Sequence, residues 1–412
     1  MKAKAGKSGF KRHRLKMPSV SPPVRYKDPG AVPVGRARPV RERRVLYLHN
    51  PSGDIGHAVH LLRLLSELNK VRGGRNLIFL RAPKVYPYGM FKKYGRVVPL
   101  PAAPSASSGR RLASMVAELG PSVAVTEFFP FGRPECLPEI MPALAAASCC
   151  GAKIHASVPM PYFTAQERGL KDMFRACAGY DKILVHSPEG ADLPYMAKAV
   201  SLERRVSPAA FLSAFGELRG KVVFTGYLVP APLGRRVKEE DLILVTRGGG
   251  STSDRFFEAA IGAAAIVDRP FLFVAGPATS PGRLAYFRRL AAAGGGNARV
   301  ISASAELSAL MARAAVCVST AGGTVYEMLA LRKKMLLAPF CGASGLEHSD
   351  QLARALLMKE LAGAELLLPG DIDPEKIAAA LSRRLLAPLK ISKRVRPAWF
   401  RGAARSAEII SS

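Results

Sequence analysis

The chain has 412 residues, 49% of them hydrophobic, which is enough for two domains that each bury a core and excludes a wholly disordered protein. No apolar run reaches the roughly 18 residues that a membrane-spanning helix needs. The formal net charge of +30, from 61 Lys and Arg against 31 Asp and Glu, is the one strong outlier.

That charge is unevenly placed. Residues 1–44 carry 14 Lys and Arg against Asp28 and Glu42, a balance of +12, and the rest of the chain carries +18. A basic tail broken by prolines cannot bury a core and is expected to be disordered. It lacks the apolar stretch of a secretory signal. Its charge suits an anionic membrane surface, whereas aromatic residues interleaved with basic ones, which single-stranded nucleic acid favours, are too few for that partner. The six cysteines (Cys136, Cys149, Cys150, Cys177, Cys317, Cys341) form no CxxC pair, so they read as reduced, buried thiols. None stands at metal-ligand spacing from a histidine, and no metal is expected.

The first strand is Arg44–His49. Asn50 to His57 follows as a turn with Gly53 and Gly56, and Leu61, Leu62, Leu64, Leu65 and Leu68 then mark a helix face. Strand, glycine turn and helix open a doubly wound α/β domain. The two glycines lack the third member of a dinucleotide fingerprint. His57 stands at the helix start, where the dipole disfavours its protonated form; a neutral imidazole there suits a general base, and a capping histidine would have the same spacing. Strands are expected at Asn76–Leu80, Arg96–Pro99, Val123–Thr126, Lys153–Ser157, Lys182–His186 and Val222–Thr225, with helical segments between several of them. That alternation predicts a parallel sheet covered on both faces. Glu127 falls at the C-terminal end of one of these strands, the edge where open α/β sheets bind ligands. Phe128, Phe129 and Phe131 beside it read as an apolar wall, or as core aromatics next to a surface glutamate.

Pro230, Pro232 and a run of charges mark a linker. The organisation expected is a tail at 1–44, a first domain at 45–229, a linker at 230–240, a second domain at 241–390 and a closing segment at 391–412. Trp399 to Ile410 suits an amphipathic helix that packs back on the first domain. The second domain opens with the strand Asp241–Thr246 and a glycine-rich loop, Arg247 to Asp254, suited to an anion. Strands at Phe271–Ala275, Arg299–Ser302, Val316–Ser319, Met335–Pro339 and Glu365–Leu368 follow.

Val316 to Gln351 is the most informative stretch. A buried strand ends in Ser319, Thr320, Ala321, Gly322 and Gly323, all small, and a helix with Val325, Met328 and Leu329 on one face follows. The glycines let an anion approach the backbone, while Glu327, about one turn on, would repel a phosphate placed too near. A phosphate at the glycines with Glu327 reaching past it to a ribose diol reconciles the two; an ordinary βαβ unit has the same spacing. Glu347, His348, Asp350 and Gln351 form a polar cluster able to hydrogen-bond a sugar.

These motifs resemble, in order, those of the GT-B glycosyltransferases of the MurG type and their uncharacterised bacterial relatives. The residues that carry the likeness are GDIGHAVHLLRLL (Gly53 to Leu65), TEFFPFGR (Thr126 to Arg133), FTGYLV (Phe224 to Val229), RGGGS (Arg247 to Ser251), MARAAVCVSTAGGTVYEMLALRKKMLLAP (Met311 to Pro339) and DQLARA (Asp350 to Ala355). The resemblance implies two Rossmann-like domains facing a cleft. It implies an inverting, metal-independent transfer from a nucleoside-diphosphate sugar, most simply a UDP-sugar, to an acceptor hydroxyl, with no cofactor. Glu327 would hold the ribose. Gly249, Gly250, Ser251, Gly322, Gly323 and Thr324 would cradle the diphosphate, Ile301 would flank the base, and Asp350 and Gln351 would touch the donor sugar. His57, Glu127 or both would take the acceptor's proton. The first loop departs from the family, with Asp54 and Ile55 in place of small residues, and so does the insertion holding Glu347 and His348. The expected setting is cytoplasmic and peripheral at the inner membrane face, where a lipid-linked acceptor lies. The alternatives are a nucleotide-sugar hydrolase or epimerase, or a non-catalytic nucleotide-sugar binding subunit; a nucleic-acid protein would leave the cleft motifs unexplained.

Overall fold

The computed structural model describes residues 43–49, 55–71, 75–81, 89–161, 170–202, 206–230, 237–249, 253–339, 341–342, 345–346 and 349–412. In the first lobe the strands are β1 (Arg43–His49), β2 (Arg75–Arg81), β3 (Arg96–Pro99), β4 (Val123–Glu127), β5 (Lys153–Val158), β6 (Lys182–Val185) and β7 (Val222–Phe224). They form one sheet in the order β3-β2-β1-β4-β5-β6-β7, parallel throughout. β1 takes in Arg43 and Arg44, the last two residues of the expected tail. Arg44 is fully buried, and Arg43 Nη1 donates to Leu119 O at 2.7 Å.

In the second lobe β8 (Ile243–Thr246), β9 (Phe271–Val274), β10 (Ala298–Ile301), β11 (Val316–Ser319) and β12 (Lys334–Leu337) are followed by a short antiparallel hairpin. The hairpin is β13 (Cys341–Gly342) with β14 (Gly345–Leu346), which the sequence pattern did not announce. With β15 (Glu365–Leu366) the second parallel sheet runs β10-β9-β8-β11-β12-β15. Each chain segment thus winds outward from its first strand, returns, and continues on that strand's other side. The reversals fall between β1 and β4 and between β8 and β11, the crevices where doubly wound sheets bind ligands.

Period-two alternation distributes the cores. In β1, Val45 and Tyr47 join the face packed by Phe79, Phe129 and Ile140, while Leu46 and Leu48 join Leu61, Leu65 and Ile78 on the other. The helix Gly402–Ser411 completes that second face with Ala407 and Ile410, lying along the helix Ile55–Val71 of the first lobe. The crossing that brings it there is tight: Tyr227 N donates to Trp399 O at 2.6 Å, and a Cβ on Gly402 would stand 2.0 Å from Gly226 O. The lobes also share a buried polar joint. Asp192 of the first lobe accepts from Tyr227 Oη at 2.7 Å and from Tyr326 Oη of the second at 2.5 Å, and the two rings stack with centroids 3.9 Å apart.

Two expectations need correction. Cys136, Cys177 and Cys317 are buried, but Cys149 and Cys150 are exposed, because they sit where the helix Leu137–Cys149 ends at the surface turn of Gly151. Phe129 and Phe131 follow the core reading rather than the wall, both fully packed in the first lobe, but Glu127 beside them is no surface glutamate: it is buried, because it ends a strand inside the sheet between β1 and β5. Among the described residues no helix is long and apolar enough to cross a membrane.

Candidate active site

At the first reversal, His57 is the third residue of the helix Ile55–Val71 that follows β1, and Glu127 is the last of β4. β1 and β4 are neighbours, so the two side chains meet: His57 Nδ1 lies 2.7 Å from Glu127 Oε1. Glu127 is 1% exposed and its Oε2 has no hydrogen-bond partner. A carboxylate accepts, so Nδ1 is the donor, and in the neutral imidazole the lone pair is then at Nε2. Phe128 packs against the His57 ring with centroids 5.2 Å apart. It holds the left-handed backbone conformation (φ 61°), unusual for a bulky side chain. Gly132 makes room for it, because a Cβ there would stand 2.3 Å from the Phe128 ring.

The second reversal carries both glycine turns. After β8 come Arg247, Gly248 at φ 72° and Gly249, whose carbonyl accepts from Ala278 N at 2.9 Å. Arg247 does not face a ligand; its guanidinium is buried over the Phe257 and Phe287 rings and paired with Asp254. After β11 the left-handed position is taken by Ala321 (φ 58°), not by a glycine, and Arg354 Nη1 donates to its carbonyl at 3.1 Å. Gly322 therefore lies open, with nothing within 4 Å of a Cβ built on it. Thr324 begins the next helix, its Oγ1 3.4 Å from Ser319 Oγ.

Glu327 is buried on that helix, and both of its oxygens are engaged. Oε1 accepts from Arg63 of the first lobe and Oε2 from Ser308 Oγ at 2.9 Å. Arg63 Nη1 is in turn fixed on Leu228 O at 2.5 Å. Ile301 closes β10 at the same sheet's C-terminal edge. Asp350 opens the helix Ser349–Ala362 with its carboxylate 2.7 Å from Arg354 Nη2, so it braces the arginine that holds the Ala321 turn. Gln351 follows it in the first turn. Gly56 lies in the helix start beside His57. Gly53, Gly250, Ser251, Glu347 and His348 fall outside the described residues.

A cavity of about 1080 Å³ has Ser308 and Glu327 on its wall, together with linker residues Val237 to Glu239 and the segment Val395 to Arg401. Neither glycine turn nor His57 lines it; it meets the candidate nucleotide site at Glu327 and Ser308. Among the described residues, one His/Cys/carboxylate cluster has ligand atoms close together: His49, Glu135 and Cys136. Arg81 Nη1 sits 2.9 Å from His49 Nδ1, and burial with that guanidinium pulls the imidazole down to about 4. Burial likewise pushes the Cys136 thiol up to about 11, so a cation is poorly served there.

Sequence reasoning missed Arg63, Ser308, His60 and the Asp192 joint. His60 is buried, its Nδ1 has no partner, and its Nε2 lies 3.4 Å from where a Cβ on Gly323 would stand. Burial and the nearby Arg63 charge hold it neutral, well below the usual imidazole range. The one available signal was its place three residues after His57, with Arg63 three further on.

Two reversals joined across a cleft define the GT-B architecture. Over 90% of this chain and 99% of the other, the fold matches Acinetobacter baumannii MurG with a TM-score of 0.57 at 12% identity. LpCGTa in complex with UDP matches over 90% and 95% (TM-score 0.56, 15% identity), and the UDP-GlcNAc 2-epimerase of Neisseria meningitidis bound to UDP-GlcNAc over 90% and 98% (0.54, 12%). In sequence, 79 residues are 39% identical to the UDP-N-acetylglucosamine--N-acetylmuramyl-(pentapeptide) pyrophosphoryl-undecaprenol N-acetylglucosamine transferase of Geobacillus kaustophilus. That stretch is 19% of this chain and spans only 22% of the relative's length. No protein-family profile matches the chain. The fold is GT-B and MurG-like.

Proposed function

We propose that the chain is a glycosyltransferase that moves a sugar from a nucleoside diphosphate, a UDP-sugar above all, to an acceptor hydroxyl with inversion and without a metal ion. The observation that carries this reading is the pairing of the two reversals. One holds the His57–Glu127 dyad, and the other holds two glycine turns and a buried carboxylate. Neighbours of the same fold are named as bound to UDP or UDP-GlcNAc, which supports the donor class.

In this mechanism the acceptor hydroxyl gives its proton to His57 Nε2 as its oxygen attacks the anomeric carbon. The bond from that carbon to the diphosphate breaks on the opposite face, which inverts the configuration. Glu127 stabilises the imidazolium that forms, through the 2.7 Å contact at Nδ1. Charge gathers on the leaving diphosphate, and backbone N–H groups at Gly249 and at Gly322, Gly323 and Thr324 meet it as donors, a role that Gly250 and Ser251, outside the described residues, share in this proposal. Glu327 accepts from the ribose hydroxyls, Ile301 flanks the base, and Gln351 contacts the sugar, with Asp350 acting through Arg354.

The solved 2-epimerases of this fold support a second reading, rearrangement of the donor without an acceptor. A panel of UDP-, dTDP- and GDP-sugars tested for thermal stabilisation identifies the donor, because a ligand of the folded state raises its midpoint. The stabilising sugar nucleotide is then incubated alone. An intact donor supports transfer, whereas its epimerisation or hydrolysis favours the second reading. A panel without a stabilising member sinks both.

A further inference from the structure

We propose that Arg63, a residue of the acceptor-side lobe, is a positioning residue of the nucleotide site: it holds Glu327 in the orientation that takes the ribose diol. The inference rests on the ribose role of Glu327 proposed above. Three observations carry it. Arg63 is clamped at both ends, on Leu228 O by Nη1 and on Glu327 Oε1 by Nη2, so its guanidinium acts as a fixed strut between lobes. Ser308 Oγ takes the other carboxylate oxygen at 2.9 Å. An ionised carboxylate offers about four acceptor positions. Two are filled, one on each oxygen, which leaves one acceptor position on each for a ligand's hydroxyls.

The third observation is the helix that supplies the strut. Ile55–Val71 presents His57 to Glu127, His60 to Gly323 and Arg63 to Glu327, at successive intervals of three residues along one side. The same element therefore sets the base, faces the glycine turn and orients the nucleotide's carboxylate. Because His60 is held neutral, Arg63 is the fixed charge on that side near Glu327, and the carboxylate balances it. Donor binding then depends on the lobes being together, with no separate closure signal needed.

The test is calorimetric titration of the full chain with UDP and with 2′-deoxy-UDP, beside the thermal midpoint of each variant. The wild type is expected to prefer UDP. Arg63→Ala is expected to weaken UDP binding and to erode that preference by about tenfold or more. Arg63→Lys, which keeps the charge but cannot fork between Leu228 O and Glu327, should fall between the two. Two results overturn the inference alone: Glu327→Ala loses the ribose preference while Arg63→Ala keeps it, whatever its midpoint, or Arg63→Ala binds UDP more tightly, which makes the arginine a plug. A wild type without preference, or a Glu327→Ala variant that behaves like it, overturns the ribose role of Glu327 and this inference with it.

Discussion

The dyad at the first reversal makes the sharpest prediction. His57 Nδ1 lies 2.7 Å from an oxygen of Glu127, which is 1% exposed and whose second oxygen has no partner. Removing the imidazole therefore has two costs that can be read separately. His57→Ala removes the base, worth about 10²–10⁴ in turnover. It also leaves a buried carboxylate without its hydrogen-bond donor, a cost of about 1–3 kcal/mol or more, which should appear as a lower thermal midpoint. Glu127→Gln keeps the shape and an acceptor for Nδ1 but removes the charge that stabilises the imidazolium, so turnover should fall with less loss of stability. The double variant should lose little beyond the worse single one, because residues acting as a unit are not additive. UDP affinity should stay at the wild-type value in all three. Single-turnover transfer from the identified donor is the assay. A His57→Ala enzyme with near-normal turnover leaves Glu127 as the sole candidate base and reduces His57 to a helix-start packing residue. Losses that multiply in the double variant refute the unit.

Three further outcomes follow from other parts of the molecule. Asp192, raised from 3.8 to about 6 chiefly by burial, is favoured in its neutral form by the fold; its contribution to stability is intact below about pH 4 and is lost as pH rises through 6. Asp192→Asn should therefore gain stability relative to the wild type across that window, by about 3 kcal/mol at most, in thermal midpoints measured from pH 4 to 7, and parallel profiles would count against it. Gly132→Ala places a Cβ against the Phe128 ring and should push that ring off His57, lowering turnover about 10- to 100-fold at unchanged UDP affinity; unchanged turnover would show that the ring does not position the base. Deleting residues 1–40 should weaken binding to anionic vesicles in a salt-sensitive way while transfer from a soluble donor continues, and equal vesicle binding by the shortened chain would remove the tail from that role.

What the sequence disclosed follows the range over which its signals act. Apolar runs marked nearly all the strands of both sheets, because strands buried on both faces read as short continuous apolar runs bounded by turn residues. The reversals were visible as glycine-rich or small residues after Thr246 and Ser319, as His57 at a helix start and as Glu127 at a strand end. Contacts between distant segments carried no such signal. The side chains that lock Glu327 come from Arg63 and Ser308, 264 and 19 residues away, and spacing cannot say which lobe surface meets which. Asp350 is a partial case, since its i,i+4 relation to Arg354 is written in the sequence, but the need to hold Ala321 in a left-handed turn is not.

The helix Ile55–Val71 shows where the limit lies. Its leucine face was legible because Leu61, Leu64, Leu65 and Leu68 repeat at the helical period and are fully buried. On that rule, His57, His60 and Arg63 belong to the polar side, which in a one-domain protein faces water. Here that side is covered as well, by Glu127 within the first lobe and by Gly323 and Glu327 of the second. A helix whose polar face holds two histidines and an arginine three residues apart, and which follows the first strand of a doubly wound sheet, lies at a reversal by topology alone. In a chain with two such sheets, that face is where the second lobe should be sought.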